Sequence, residues 1–356
     1  MAEMASHERF KRMFEHREAD RIPIIDSPWG ATVERWQREG MPADVDWTDF
    51  FGVDRTAGIG ADNSPRYPET VLEETDTYQI TTTSWGATWK NWKHVASTPE
   101  SIDFICKDPD TWFRETRARM APTPDRINWD RLKTNYPRWR QEDLWIEAGL
   151  WFGFDVTHSR VVGTERFLIA LLDHPEWCRD MFNHFLDMNL ALLDMIWDAG
   201  YTFDAVGWPD DLGYKGTQFM SLAMYRDLLK PVQERACRWA HAKGARTRLH
   251  SCGNVNPFIP EFIEIGIDAL NPLEVKAGMD PVAIKRRYGD RLVLHGGINA
   301  VLWDNLDAIE AEMRKVIPIV KQGGGYIFSS DHSIPSSVSL ANFRRIIELA
   351  KELGRY

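Results

Sequence analysis

Residues 246–299 read RTRLHSCGNVNPFIPEFIEIGIDALNPLEVKAGMDPVAIKRRYGDRLVLHGGIN, and this stretch decides the fold. It alternates short apolar runs of strand-like composition with amphipathic helical runs, at 246–250, 257–265, 269–272, 281–288 and 292–296. Strands that are separated by single helices at this spacing run parallel, because each helix returns the chain to the edge where the previous strand began. The stretch therefore predicts an α/β fold built on a parallel sheet.

The same alternation extends over most of the 356 residues. Four further strand-like runs lie at 22–26, 144–148, 205–208 and 326–329. Further helical runs lie at 6–16, 32–39, 164–171, 175–199, 221–243, 304–321 and 340–353. Together with the first three, these strands come close to the eight of a (β/α)8 TIM barrel, which is the favoured architecture. A doubly wound open sheet is the alternative, and the lack of a G-x-G-x-x-G after any predicted strand disfavours it.

The first part of the chain, residues 1–140, is less regular than residues 141–356. We interpret it as an N-terminal elaboration with helices and a β-hairpin, within a single domain that spans residues 1–356. The hairpin is predicted at 78–94, where apolar and polar residues alternate around the turn Ser84-Trp85-Gly86. Residues 99–120 are expected to be helical.

Composition and charge exclude several classes of protein. The chain has 43 basic and 53 acidic side chains, a net charge of −10, and such a chain repels nucleic acid. It has no run of 18 apolar residues and no apolar signal core, so we expect a cytoplasmic protein that does not bind a membrane. Four cysteines are too few for a disulfide framework. The 16 tryptophans suggest the wall of a pocket or an interface.

A metal site is predicted where the strands of such a barrel end, because catalytic groups come from that edge. His250 and Cys252 are two residues apart, so their side chains point the same way on an extended strand end, and zinc accepts both ligand types. His332, after the last strand, could complete a catalytic set of three. Glu274 or His295 could supply a fourth ligand or a supporting contact. In the alternative interpretation Cys252 is a small buried side chain and the histidines are hydrogen-bonded loop residues.

Three carboxylates near the same edge are candidates for a catalytic acid. Asp210 and Asp211 form an adjacent pair before Gly213, and either a helix cap or a general acid fits that position. Glu147 lies in an apolar strand, so it needs a partner or a proton. It is either a proton donor or the partner of an arginine.

Three segments resemble one known family: HSCGNVNPFIPEFIEIGIDALNPLE, AGMDPVAIKRRYGDRLVLHGGIN and GGGYIFSSDHSIP. In combination they are similar to the uroporphyrinogen decarboxylase superfamily, whose fold is a single (β/α)8 barrel. The true decarboxylases of that family carry an arginine-rich motif of the R-Q-A-G-R kind. Here the matching region reads DSPWGATVERWQREG, so the resemblance favours the other branch, the zinc-dependent methyltransferases that act with a corrinoid protein.

That resemblance implies Zn²⁺ at His250 and Cys252, and a corrinoid carried by a partner protein. In the family's pattern a late cysteine completes the zinc site, and His332 stands in its place here. A zinc ion with two histidines and one cysteine is a better Lewis acid than a sulfur-rich one, which favours a small methyl ether as methyl donor. The tryptophan-rich composition suits an aromatic ether, and a homodimer is a further expectation. The alternatives are a uroporphyrinogen-type decarboxylase and a barrel that only binds a tetrapyrrole or a corrinoid protein.

Overall fold

The strands form one parallel sheet and two antiparallel sheets in the computed structural model, which describes residues 3–94 and 98–356. In chain order they are β1 (Thr56–Ile59), β2 (Val71–Glu74), β3 (Tyr78–Thr82), β4 (Ala87–Trp92), β5 (Glu100–Phe104), β6 (Trp145–Gly149), β7 (Ala205–Pro209), β8 (Gly213–Tyr214), β9 (Thr217–Gln218), β10 (Arg246–His250), β11 (Ala269–Asn271), β12 (Val293–His295) and β13 (Tyr326–Ile327). The parallel sheet has seven strands in the order β1-β6-β7-β10-β11-β12-β13. Six of them match runs that the sequence predicted.

The longer helices alternate with these strands along the chain. They are Ser6–Phe14, Gly30–Arg38, Trp47–Phe51, Trp129–Gln141, Thr164–Asp173, Pro175–Asp198, Lys230–Ala242, Ile259–Glu264, Pro281–Tyr288, Leu306–Val320 and Leu340–Leu353. Short helical turns lie at Pro109–Thr111, Trp112–Thr116, Arg117–Arg119, Pro124–Arg126, Phe154–Val156, Thr157–Val162, Leu222–Met224, Tyr225–Leu229, Asn256–Phe258, Val275–Ala277 and Ala300–Leu302. Within residues 3–94 and 98–356 no helix has both the length and the apolar character needed to cross a membrane.

Local capping explains why some predicted bounds match the structure. The helix Pro281–Tyr288 begins after Asp280, whose carboxylate accepts hydrogen bonds from the backbone N–H groups of Val282 and Ala283. Proline at the first helical position costs no hydrogen bond, because the amide there has no partner within the helix. The sequence 280–288 therefore contains the residues that determine where this helix begins.

The predicted first strand, 22–26, is the main error in the predicted sheet. Ile24 makes a single parallel bridge to Phe328, and the backbone N–H of Asp54 donates to the Ile24 carbonyl at 2.9 Å. The ladder does not extend, because Pro23 has no N–H to donate. The strand of the parallel sheet that the sequence analysis missed is β1, which pairs with β6 in register from Thr56↔Trp145. The sheet is curled. The segment around Ile24 is hydrogen-bonded to Phe328, just after β13, and to Asp54, just before β1.

The N-terminal hairpin is confirmed, and the helix predicted after it is partly wrong. β3 and β4 pair antiparallel around the predicted turn, and β2 and β5 extend them to a four-stranded sheet. Gly86 is required in the turn, since its φ is 84° and a Cβ would lie 2.9 Å from the Tyr67 ring. Residues 100–104 of the predicted helix 99–120 form β5, because pairing with β4 overrides their weak helical preference.

Aromatic packing closes the end of the sheet at which the strands begin. Phe10 and Phe14, on the helix Ser6–Phe14, stack on Trp145 with ring centroids 5.8 and 5.2 Å apart. Ile327 and Val293 belong to the same buried cluster. We call Phe10, Phe14 and Trp145 the closed end. The strands lead from it to the opposite, open end.

Candidate active site

A cavity of about 530 Å³ lies inside the curled sheet and runs from the closed end to the ends of the strands. The interior of a β/α barrel is normally filled by branched side chains. Here Gly58 and Gly149 line the cavity, and a Cβ on Gly58 would meet nothing within 4 Å. The titratable side chains that line it are Asp26, Glu147, Arg248, His250, His295 and His332. Its size suits a small organic molecule.

Three potential metal ligands meet at the open end, and two of them were predicted as ligands. His250 Nε2 lies 3.4 Å from Cys252 Sγ and 3.8 Å from Asp211 Oδ1. The ligand atoms of all three lie within 4.8 Å of one another. We call Asp211, His250 and Cys252 the Asp-His-Cys trio. β7 and β10 are neighbours in the sheet, and this adjacency brings Asp211 beside the other two.

Neighbouring residues hold the trio in place. His250 Nδ1 lies 2.8 Å from Asn271 Oδ1, and with the amide in this orientation Nδ1 carries the proton. The lone pair of Nε2 then faces the thiol, which is the tautomer that binds a metal. The backbone N–H of Cys252 donates to Asp211 Oδ1 at 2.8 Å. Gly253 has φ 80°, and a Cβ there would lie 2.2 Å from the carbonyl carbon of Gly213.

The electrostatics of the trio fit a divalent cation. Burial, together with the charges of Asp211 and Glu274, raises the pKa of the Cys252 thiol above its usual range. A metal ion reverses this effect, because it stabilises the thiolate that binds it. Imidazole, thiolate and carboxylate are all zinc ligands. The residues present therefore fit the metal that the sequence predicted.

The other two predicted ligands lie near the trio but make different contacts. Glu274 Oε2 accepts a hydrogen bond from the backbone N–H of Gly253 at 2.5 Å, and its Oε1 lies 3.2 Å from Lys276 Nζ. His332 is exposed and lines the open end of the cavity. Among the described residues the Asp-His-Cys trio is the group close enough to share an ion. Zinc binding by Glu274 and His332 stays a prediction.

His295, predicted as a supporting residue, has an unusual environment. It is 7% exposed, and its Nδ1 is buried without a hydrogen-bond partner in the described chain. Burial, assisted by the charges of Arg248 and His250, lowers its pKa well below the usual value. His295 is therefore a neutral imidazole on the cavity wall.

The carboxylate of Asp210 organises a loop. It is fully buried, accepts hydrogen bonds from the Asp155 N–H at 2.9 Å and from Gln233 Nε2 at 2.8 Å, and does not line the described cavity. Burial raises its pKa well above the usual range. Gly153 makes room for it, since a Cβ there would lie 2.4 Å from Asp210 Oδ2. Its predicted role as a catalytic acid is not supported by these contacts and stays a prediction.

Glu147 lines the cavity as the partner of an arginine, which was one of its two predicted roles. Arg248 Nε donates to Glu147 Oε2 at 2.9 Å, and Arg248 Nη2 donates to Glu147 Oε1. Burial lowers the pKa of Arg248, but the charge and hydrogen bonds of Glu147 outweigh it and the pKa is raised. Gly207 leaves the necessary space, because a Cβ there would lie 2.1 Å from Glu147 Oε1.

The sequence analysis missed one carboxylate of the cavity, Asp26. It accepts hydrogen bonds from the Ser330 N–H at 2.6 Å, from Ser330 Oγ at 2.8 Å and from the Ser27 N–H at 2.8 Å. Burial outweighs these bonds and raises the pKa of Asp26 to about 6, and the charge of Asp331 acts in the same direction. The sequence signal that could have identified Asp26 is its position at the end of an extended apolar run, where other cavity residues also lie.

The tryptophans contribute less to the cavity than the composition suggested. Trp145, at the closed end, is the one tryptophan on the described wall. Trp36, Trp112, Trp208 and Trp303 are fully buried in the core. The excess of tryptophan therefore serves mainly to pack the core around the sheet.

Comparison with known proteins adds a family match, a curated relative and a solved structure of similar fold. The family model described as uroporphyrinogen decarboxylase (URO-D) matches residues 156–353. That range includes the Asp-His-Cys trio, Glu274 and His332, but not Asp26 or Glu147.

The curated relative is the methylcobamide:CoM methyltransferase MtaA of Methanosarcina barkeri, 25% identical over 195 residues. The match spans about half of each protein, 52% of this chain and 54% of the relative. A solved methyltransferase from Methanosarcina mazei has a TM-score of 0.65 at 18% identity, and the match covers 98% of this chain and 99% of the other. At that identity the similarity shows a shared fold.

Proposed function

Because the chain belongs to the uroporphyrinogen decarboxylase family, we propose that it is a zinc-dependent methyltransferase that moves a methyl group from a small methyl ether to a corrinoid protein. The observation that carries this proposal is the Asp-His-Cys trio, whose His250 lines a cavity sized for a small molecule. Three protein ligands and an open position are typical of catalytic zinc. The partly matching relative, whose name describes a methylcobamide methyltransferase, supports the methyl-transfer branch.

The charges of the cavity argue against a decarboxylase that binds a polycarboxylate. Recognition of several carboxylates requires several cationic donors, typically arginines. Among the described residues that line the cavity, Arg248 is the one arginine or lysine, and it is already paired with Glu147. Asp26 adds a carboxylate to the same wall. The methyltransferase assignment is therefore the better match to the site.

We assign Asp211, His250 and Cys252 as the ligands of the zinc. His332 could approach the ion from the exposed rim when substrate binds, and Glu274 holds the loop at Gly253. When bound, zinc supplies Lewis acidity toward the ether oxygen. The side chains that line the cavity then set the polarity of the surroundings of the bound ether.

We assign Asp26 as the acid that donates a proton to the leaving oxygen. An alkoxide or phenoxide is a poor leaving group, so a nearby acid lowers the barrier. As the ether C–O bond breaks, its electron pair stays on the oxygen, and a proton from an Oδ of Asp26 neutralises that charge. Because the pKa of Asp26 is raised to about 6, a fraction of the protein molecules carry a protonated Asp26 near neutral pH. Glu147, Asp210 and Asp211, predicted from the sequence, remain candidates, although each is engaged in the contacts described above.

We also propose that the sheet closes into a full (β/α)8 barrel, with the residues around Ile24 as the eighth position. Support comes from the hydrogen bonds that this segment makes to Phe328 on one side and to Asp54 on the other. An open end of this kind would admit a corrinoid carried on a partner protein. A single domain, a homodimer and a cytoplasmic location also stay predictions.

Metal analysis tests the proposal directly. Purified protein is expected to hold about one zinc per chain, and Cys252→Ala to lose most of it, because one of three ligands is gone. Cys178→Ala is the matched control, since Cys178 is a buried cysteine in the helix Pro175–Asp198 and should leave zinc unchanged. Methylation of a Co(I) corrinoid protein by methyl ethers is the activity to measure.

The alternatives give different results. A native protein without zinc that turns over uroporphyrinogen would support the decarboxylase and contradict the proposal. A protein that binds zinc and a corrinoid protein, but transfers methyl from no ether, would support the binding-only barrel.

A further inference from the structure

We infer that Glu147 sets the charge preference of the cavity: by neutralising Arg248 it makes the interior accept a neutral, oxygen-bearing methyl donor and exclude a carboxylate. The inference deepens the proposed function and rests on it for the statement that the ligand is a methyl donor. The preference itself is a binding property and can be measured without methyl transfer.

The first step is the charge of the wall. The charges of Glu147 and Arg248 cancel. Asp26 is a further acidic group on the described wall, and it has no cationic partner within 4 Å. The Nε and Nη2 groups of Arg248 already donate hydrogen bonds to Glu147. A carboxylate entering this part of the cavity would therefore meet two acidic side chains and no uncommitted arginine or lysine. Repulsion between like charges is strong where water is scarce.

The second step is what remains free for a neutral ligand. Arg248 Nη1 has one long contact, 3.4 Å to Asn271 Oδ1. His295 Nδ1 has no hydrogen-bond partner among the described residues, although it is buried. Nδ1 is enclosed by protein atoms, so the more available donor on the cavity wall is Nη1 of Arg248. A neutral hydroxyl group can accept a hydrogen bond from this guanidinium N–H.

The third step is the position of this free Arg248 donor relative to the trio. Arg248 precedes His250 by two residues on β10, so both side chains face the cavity. Two residues of a strand span about 6.6 Å. A molecule with a methoxy group at the trio and a hydroxyl about one aromatic ring away reaches both places. The inferred ligand class is therefore a neutral methoxyphenol or a similar hydroxylated ether.

The fourth step is that the fold makes room for the ion pair. A Cβ on Gly207 would lie 2.1 Å from Glu147 Oε1 and 3.2 Å from Arg248 Nη2. Gly207 lies on β7, between the strands that carry the two charges. The pair is therefore part of the interior of the sheet, unlike an ion pair at the surface.

The test compares two probes that differ in charge, 3-methoxyphenol and 3-methoxybenzoate. At pH 7 a phenol is neutral and a benzoate is ionised. Isothermal titration of the zinc-loaded protein, without a corrinoid protein, measures both dissociation constants. We expect the wild type to prefer the phenol and Glu147→Gln to shift the ratio of the two constants toward the benzoate by about tenfold or more, because the substitution leaves Arg248 unneutralised.

Controls separate the charge effect from damage to the fold. Glu147→Gln combined with Arg248→Gln removes both charges and should restore the preference for the phenol. Glu234→Gln removes one acidic charge from a half-exposed helix position outside the cavity lining and should leave the ratio unchanged. Melting curves and zinc content show whether each variant is folded and loaded. Repeating the titrations with metal-free protein shows whether the shift persists without coordination of the benzoate to zinc.

Three results would overturn the inference. They are wild-type binding of the benzoate as tight as that of the phenol, an unchanged ratio in folded Glu147→Gln, and no binding of either probe to the zinc-loaded wild type. Failure of the proposed function is recognised differently. A protein that shows the charge preference but lacks zinc or methyl transfer would refute the methyltransferase and leave the charge preference intact.

Discussion

The two ends of the cavity are built from different chemistry, although the same strands connect them. The closed end is aromatic, and Phe14 stacks on Trp145 with an angle of 8° between the rings. The open end carries the Asp-His-Cys trio, with His250 at the end of β10 and Asp211 and Cys252 on the loops that follow β7 and β10, and its side chains are partly exposed. Burial of large apolar rings stabilises the fold, whereas polar groups held in a cavity contribute to binding. The comparison predicts that stability and metal affinity can be changed separately.

The largest expected effect is on stability, at the closed end. Phe14→Ala removes a ring that is 4% exposed and leaves a hole beside Trp145. We expect the free energy of unfolding to fall by about 3–5 kcal/mol. Urea denaturation followed by tryptophan fluorescence measures the change, and zinc content should stay as in the wild type.

Phe113→Ala is the control for this substitution. Phe113 is 50% exposed, so removing its ring should change stability little. If Phe14→Ala lost its zinc while remaining folded, the two ends would be coupled and the separation argued above would be wrong.

The next effect is on metal affinity, at the open end. Asn271→Ala removes the acceptor that holds His250 Nδ1 at 2.8 Å. Loss of such a supporting contact typically weakens metal binding by about 10–100-fold. Competition with a chromogenic chelator measures the zinc affinity, and Asn135→Ala, on the helix Trp129–Gln141 and outside the cavity lining, serves as the control. An affinity equal to that of the wild type would show that Asn271 does not orient His250.

The two ends also differ in how well the sequence predicted them. His250 and Cys252 were found because two ligand types alternate on one strand end, a local pattern. Asp211 was expected to be an acid, since its place beside them depends on the pairing of β7 with β10, which spacing alone does not reveal. The ion pair of Glu147 with Arg248 joins residues 101 positions apart and was foreseen only as one of two possibilities.

Strand prediction failed where the strand is short or its hydrogen bonds are incomplete. β1 contains Gly58 and spans four residues, so it has little of the apolar character of the other strands. The run 22–26 has that character, but proline interrupts its hydrogen bonding, and one bridge remains. The regular repeats after residue 141 were predicted well, because helix caps and apolar periodicity act locally there.

A third expected effect lies between the two ends, at Asp26, and concerns the dependence of stability on pH. Its pKa is about 6 in the folded protein, above the ordinary value of 3.8 for aspartate. Between these values the folded state binds a proton that the unfolded state has lost, so this group makes stability fall as pH rises from about 4 to about 6. Above that window its contribution is constant.

Asp26→Asn removes the titrating group and keeps an acceptor oxygen for Ser330 and Ser27. The stability of this variant relative to the wild type should therefore increase from pH 4 to pH 6 and level off above it. Urea denaturation at half-unit pH intervals measures the difference, and Asp198→Asn, at the exposed end of the helix Pro175–Asp198, is the control. A difference that is flat with pH would mean that Asp26 is ionised throughout, and it would then be unsuited to supply a proton in the cavity. The proton donor would in that case have to be sought closer to the Asp-His-Cys trio.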